Sequence, residues 1–94
     1  MNDKLKSPQF DTLYKAILSI ENLDDCYNFF DDLCTIAELK AMAQRFEVAA
    51  MLKAGHVYNE IAQQTGASSA TISRVNRAFM YGSDGYKKAL EKIK

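Results

Sequence analysis

Proline occurs once and glycine four times in 94 residues. So few breakers exclude a chain made mostly of loops and tight hairpins. Tryptophan is missing, histidine occurs once, and the two cysteines, Cys26 and Cys34, stand eight apart with no Cys-x-x-Cys spacing. Metal-ligand spacing is therefore lacking, and both thiols are expected as reduced, partly buried small hydrophobes. No apolar run approaches the roughly 20 residues that span a bilayer, and the first eight residues are polar rather than signal-like. A cytoplasmic chain with no membrane partner is expected. Net charge is zero, but residues 1–55 carry six basic against nine acidic side chains and residues 56–94 six against three. The second stretch is a mildly basic end on an otherwise acidic body.

What is present is helix. Ser7–Pro8 is a start signal, followed by Phe10, Leu13, Tyr14, Ile17 and Leu18 at helical spacing. Asn22 can cap a second helix carrying Leu23, Cys26, Tyr27, Phe30 and Leu33, with Asp24, Asp25, Asp31 and Asp32 on its wet side. Thr35-Ile36-Ala37-Glu38 has capping-box form and opens a long third helix to about Ala54, closed by Gly55. That helix is apolar over a wide arc: Ile36, Leu39, Met42, Ala43, Phe46, Ala49, Ala50 and Leu52. The short helices of one chain cannot cover it, so a partner subunit is expected. Two short helices, about residues 58–65 and 69–79, follow, and Gly82 ends the second. Ser83 is expected to cap a last helix with Tyr86, Ala89, Leu90 and Ile93.

The two short helices read as a helix-turn-helix. Gly66 makes the turn, where φ must be positive. Ala62 is small where the helices cross, and Ile61, Ala67, Ile72 and Val75 fill the angle between them. The other face of the second helix offers Ser68, Ser69, Ala70, Thr71, Ser73, Arg74 and Arg77, all short or cationic and none acidic. A helix that enters a major groove about 12 Å wide needs such a face, to approach phosphates and reach base edges. These seven residues are the candidate DNA contacts. The alternative is a helical protein-interaction module, which would require exposed Leu or Met on that face; only Phe79 and Met80, at its end, could serve.

The segments "TIAELKAMAQRFEVAAMLKAG", "YNEIAQQTGASSATISRVNRAF" and "YGSDGYKKAL" resemble the Trp-repressor superfamily, in particular its small Trp-repressor-related branch, the YerC/YecD type. The resemblance covers about Leu33 to Leu90, and the Gly-Ala-Ser-Ser-Ala-Thr-Ile-Ser-Arg block carries it most specifically. It implies an all-α, six-helix fold in an intertwined homodimer, with two helix-turn-helix heads facing successive major grooves. One domain, 1–94, is expected: dimerisation helices over 8–55, the helix-turn-helix over 58–79, and a C-terminal helix over 83–94 completing the dimer core. It further implies a pocket for an amino-acid corepressor, to which Thr35, Arg45 and Arg74 correspond. Members that bind tryptophan carry, after the second arginine, a glycine that leaves room for indole; this chain has Val75, so tryptophan is not the expected ligand. The plain alternative for Arg45 is a solvated helix arginine near Glu38 or Glu47.

No Ser/Cys–His–Asp set, phosphate-cradling glycine loop or metal cluster is suggested, so no enzyme, metal or obligatory cofactor is expected. The expected function is sequence-specific binding of double-stranded DNA, at a palindromic operator, by a dimeric transcriptional regulator of repressor type.

Overall fold

The first three helices each begin where a side chain satisfies an orphan amide. In the computed structural model, which describes residues 3–93, the Ser7 hydroxyl accepts from the Phe10 N–H at 3.2 Å and opens α1 (Pro8–Leu18). The Asn22 side chain accepts from the Asp25 N–H at 2.8 Å and opens α2 (Leu23–Leu33). At α3 (Ile36–Lys53) the box is complete: Thr35 Oγ1 accepts from the Glu38 N–H at 3.1 Å, and a Glu38 carboxylate oxygen accepts from the Thr35 N–H at 2.8 Å. Gly55, at φ +91°, closes α3 in a Schellman turn: its N–H donates to Leu52 O, and that of His56 to Met51 O. After α4 (Tyr58–Thr65) and α5 (Ser69–Tyr81) the chain ends in α6 (Gly85–Lys92). The described residues are thus all-α, with six α-helices, a short 3-10 turn at Asp3–Leu5 and no strand.

Two boundaries differ from expectation. α5 runs two residues further, to Tyr81. Ser83 does not cap α6; Asp84 stands at that position with φ +65° and makes no side-chain cap. The left-handed turn places the Asp84 backbone where the helix starts, so the hydroxyl one residue earlier has no role there. The expected last residue of that helix, Lys94, lies outside the described residues.

The described chain forms two compact units, with the boundary inside α3 between Leu39 and Lys40. In the first, α1 and α2 bury no side chain. Leu18, Leu23, Tyr27 and Ile36 are 83%, 72%, 70% and 70% exposed. In the second, Val48, Ala49 and Met51 of α3, Ile61 of α4, Ala67 of the turn, and Ile72 and Val75 of α5 make one core. Leu52, Ala62, Tyr86 and Leu90 pack against it. The wedge expected from Ile61, Ala67, Ile72 and Val75 is present. Of the wide arc expected on α3 this core takes Ala49 and Leu52, and it adds Val48 and Met51, which the arc did not include, because the C-terminal half of α3 faces α4 and α5. Each fully covered Val or Ile contributes about 1.5–3 kcal/mol.

Candidate nucleic-acid interface

The turn between α4 and α5 fixes where the candidate face begins. Gly66 takes φ +74° and donates its N–H to Ala62 O at 2.9 Å. Thr65 Oγ1 donates to Ile61 O at 2.7 Å and accepts from the Ala67 N–H at 3.1 Å. From the third helix, Gln44 Nε2 donates to Thr65 O at 3.1 Å. Ala67 is then buried as a plug between the helices, and Ser68 caps α5 by accepting from the Thr71 N–H at 3.1 Å.

At about 100° per residue, Ser69, Ala70, Ser73 and Arg77 fall within an arc of roughly 100° on α5, and all four are exposed. The opposite side is anchored by Ile72 and Val75, at 0% and 1% exposure. No acidic residue lies in α5 at all. The structure therefore brings four of the seven candidates onto one outward face. Ser68 stands apart. Its oxygen holds the cap and its hydroxyl donates to Thr71 Oγ1 at 3.0 Å, so its polar atom is already satisfied within the helix start. Thr71 is half-buried and keeps its own proton to donate.

Arg74 is exposed at the edge of the face, on the side of a cleft of about 290 Å³ lined by Ala41, Gln44, Arg45, Ala70, Thr71 and Arg74. Arg45 and Arg74 thus line the same cleft. Thr35 is not in that lining: its hydroxyl and N–H are both engaged with Glu38 at the start of α3. Those bonds, the backbone one first and then the hydroxyl, hold the Glu38 carboxyl below its ordinary range. Val75, the residue expected to crowd an indole ring, is part of the core.

The bond from Gln44 to Thr65 was not legible in the sequence. The available signal was the place of Gln44 one turn before Val48 and one turn after Ala41, at the border of the buried stripe, where a polar side chain needs a partner. Past Arg77, Phe79 lies under the Lys87 ammonium at 5.4 Å, while Met80 and Tyr81 are 51% and 84% exposed. Among the described residues no three His, Cys, Asp or Glu side chains gather to hold a metal, and no helix is long and apolar enough to cross a membrane.

Known proteins share the family signature and the fold of this chain. Residues 8–94 match the family model of the Trp repressor protein. The chain is 53% identical, over 98% of its length and 88% of the relative's, to the uncharacterised protein YerC of Bacillus subtilis strain 168. Among solved structures it is similar to a TrpR-like protein from Eubacterium eligens ATCC 27750, at 53% identity and TM-score 0.93, covering 97% of this chain and 94% of that one. A Staphylococcus aureus protein regarded as a Trp repressor matches at 47% identity and TM-score 0.93, covering 98% and 93%.

Proposed function

The chain belongs to the Trp repressor family, and on that premise we propose that it is a sequence-specific DNA-binding regulator of transcription, a cytoplasmic repressor acting as a homodimer. The observation that carries the reading is the outward arc of α5, where Ser69, Ala70, Ser73 and Arg77 present short polar, methyl and cationic groups with no acid among them. Hydroxyls can bond phosphate or base edges, the alanine methyl can touch thymine, and arginine can reach guanine or phosphate. Arg74 borders this arc, and Ser68 and Thr71 at the helix start are included in the contact surface. An interaction module that docked a helix there would need apolar side chains along the arc, and it has the Ala70 methyl and, only at its far end, Met80.

The apolar side chains that residues 3–39 leave in water support a homodimer in which a second copy covers them. Two heads related by a two-fold axis read half-sites about one helical turn apart, ~34 Å, so the operator is a near-palindrome. Each protomer is one domain in this arrangement. The cleft between Arg45 and Arg74 suits the carboxylate of a small corepressor such as an amino acid. Val75, which follows Arg74 where the tryptophan-binding members carry a glycine, argues against the indole of tryptophan.

Arg77→Ala tests the reading. Against a duplex selected from a random pool, the variant binds more weakly, and its log–log salt slope falls by roughly 0.9 for each phosphate contact removed. A titration at several salt concentrations that gave the parent's affinity and slope would remove α5 from the interface and favour the interaction-module reading.

A further inference from the structure

We propose that Gln44 is a positioning residue for the DNA-reading helix, a role that rests on the DNA-binding reading of α5. Its carboxamide belongs to α3, yet it donates to a carbonyl 21 residues later, at the last residue of α4. The head's other described side-chain hydrogen bonds reach only two to four residues along the chain and serve caps or the turn itself. The accepting group is one of the four C-terminal carbonyls that an α-helix leaves without an intrahelical donor. Without Gln44, this half-buried oxygen would lose its one described partner, and an unpaired polar atom there would turn toward water.

Where that carbonyl goes, the recognition helix follows. Thr65 O, Gly66 and Ala67 are consecutive, and Ala67 is locked by the Thr65 hydroxyl and by burial at 5% exposure. The Ser68 cap and the first reading residues, Ser69 and Ala70, come directly after. Gln44 also lines the cleft whose far wall is Ala70, Thr71 and Arg74. One side chain therefore ties α3 to the turn and borders the first turn of α5. The apolar core cannot set that angle as finely, because methyl contacts at Ile61, Ile72 and Val75 tolerate small rotations that a directional hydrogen bond does not.

The test separates positioning from mere stability. Gln44→Met keeps the length and removes the donor. The selected duplex and a scrambled one are titrated with full-length parent and variant, alongside thermal melts. The expected result is a roughly tenfold loss of affinity for the selected duplex, about one net hydrogen bond. Affinity for the scrambled duplex and its salt slope stay at the parent's values, and the melting temperature moves by a few degrees at most. Should Gln44→Met not fold, Gln44→Asn, whose amide falls one methylene short, carries the same comparison. An unchanged ratio of selected to scrambled affinity overturns the proposal while leaving the DNA-binding reading standing. A parallel fall in both affinities with a large drop in melting temperature also overturns it, because Gln44 would then only hold the fold. A parent that prefers no duplex overturns the DNA-binding reading and this proposal with it.

Discussion

Residues 3–39 and residues 40–93 are both helical and both carry apolar stripes, yet only the second region hides them. Val48, Ala49, Ile61 and Ile72 are fully covered in the head, whereas Leu18, Leu23, Tyr27 and Ile36 in the first region stand 70% or more in water. Composition does not explain the contrast, because each region holds five aromatic residues. The difference lies in closure. α4, α5, α6 and the end of α3 meet around one core. Helices of 11 residues such as α1 and α2 are marginal by themselves. One region is finished by its own chain, and the other leaves its large apolar side chains in water.

The largest effect should come from attacking the unfinished region. Leu23→Asp combined with Tyr27→Asp places charges on one face of α2. In a lone chain each change touches only water and costs within about 0.5 kcal/mol. Against a covering subunit each carboxylate would be desolvated, at a cost of about 3 kcal/mol or more per copy. Sedimentation should therefore show the parent as a dimer whose melting temperature rises with protein concentration, and the double variant as a poorly folded monomer. A double variant that melts with the parent at every concentration would show that this face has no cover.

A middling effect is expected inside the finished region. A Cβ at Gly66 meets nothing within 4 Å, so the penalty of a side chain there comes from φ +74° and not from crowding. Gly66→Val should lower stability by about 1–3 kcal/mol and weaken DNA binding, while Gly66→Asn, which tolerates the left-handed region, should lose much less. Equal melting of both variants and the parent would mean the turn is not held as described.

The smallest effect sits at the junction. Glu38 has its folded-state pKa lowered by the Thr35 backbone bond and then by its hydroxyl. A depressed carboxylate contributes stability that is present above its unfolded pKa, about 4.3, and is lost as pH falls through the lower folded value. Glu38→Gln retains the box geometry without the charge. The gap in melting temperature between parent and variant should accordingly narrow as pH falls from about 6 to about 3; a gap independent of pH would sever the pKa from the cap.

The same contrast explains what could be read from residues alone. Caps at Ser7, Asn22 and Thr35, the stop at Gly55 and the turn at Gly66 are local chemistry, carried by one to four residues, and each is legible. The wedge of Ile61, Ala67, Ile72 and Val75 was legible because helical period and a tight turn leave it one geometry. The buried stripe of α3 was not, since its Met42, Phe46 and Val48 are equally apolar and only tertiary packing chooses among them. Asp84 displaced Ser83 for a related reason: a left-handed residue there depends on how the chain leaves α5. At the candidate site, the outward arc of α5 followed from period and charge. The absence of Thr35 from the cleft that Arg45 and Arg74 line did not, although its cap was legible, and neither did the reach of Gln44 across 21 residues.

The hydroxyl pair at Ser68 and Thr71 fixes the first residue of α5, and with it the angular address of every position that follows. A helix that could start one residue early or late would rotate its whole display by about 100°. With the start pinned, exchanging the side chains at 69, 70, 73 and 77 changes what the outward arc displays without shifting its frame. On the proposed DNA-binding role, those four addresses would set which sequences are preferred while the scaffold beneath them remains the same.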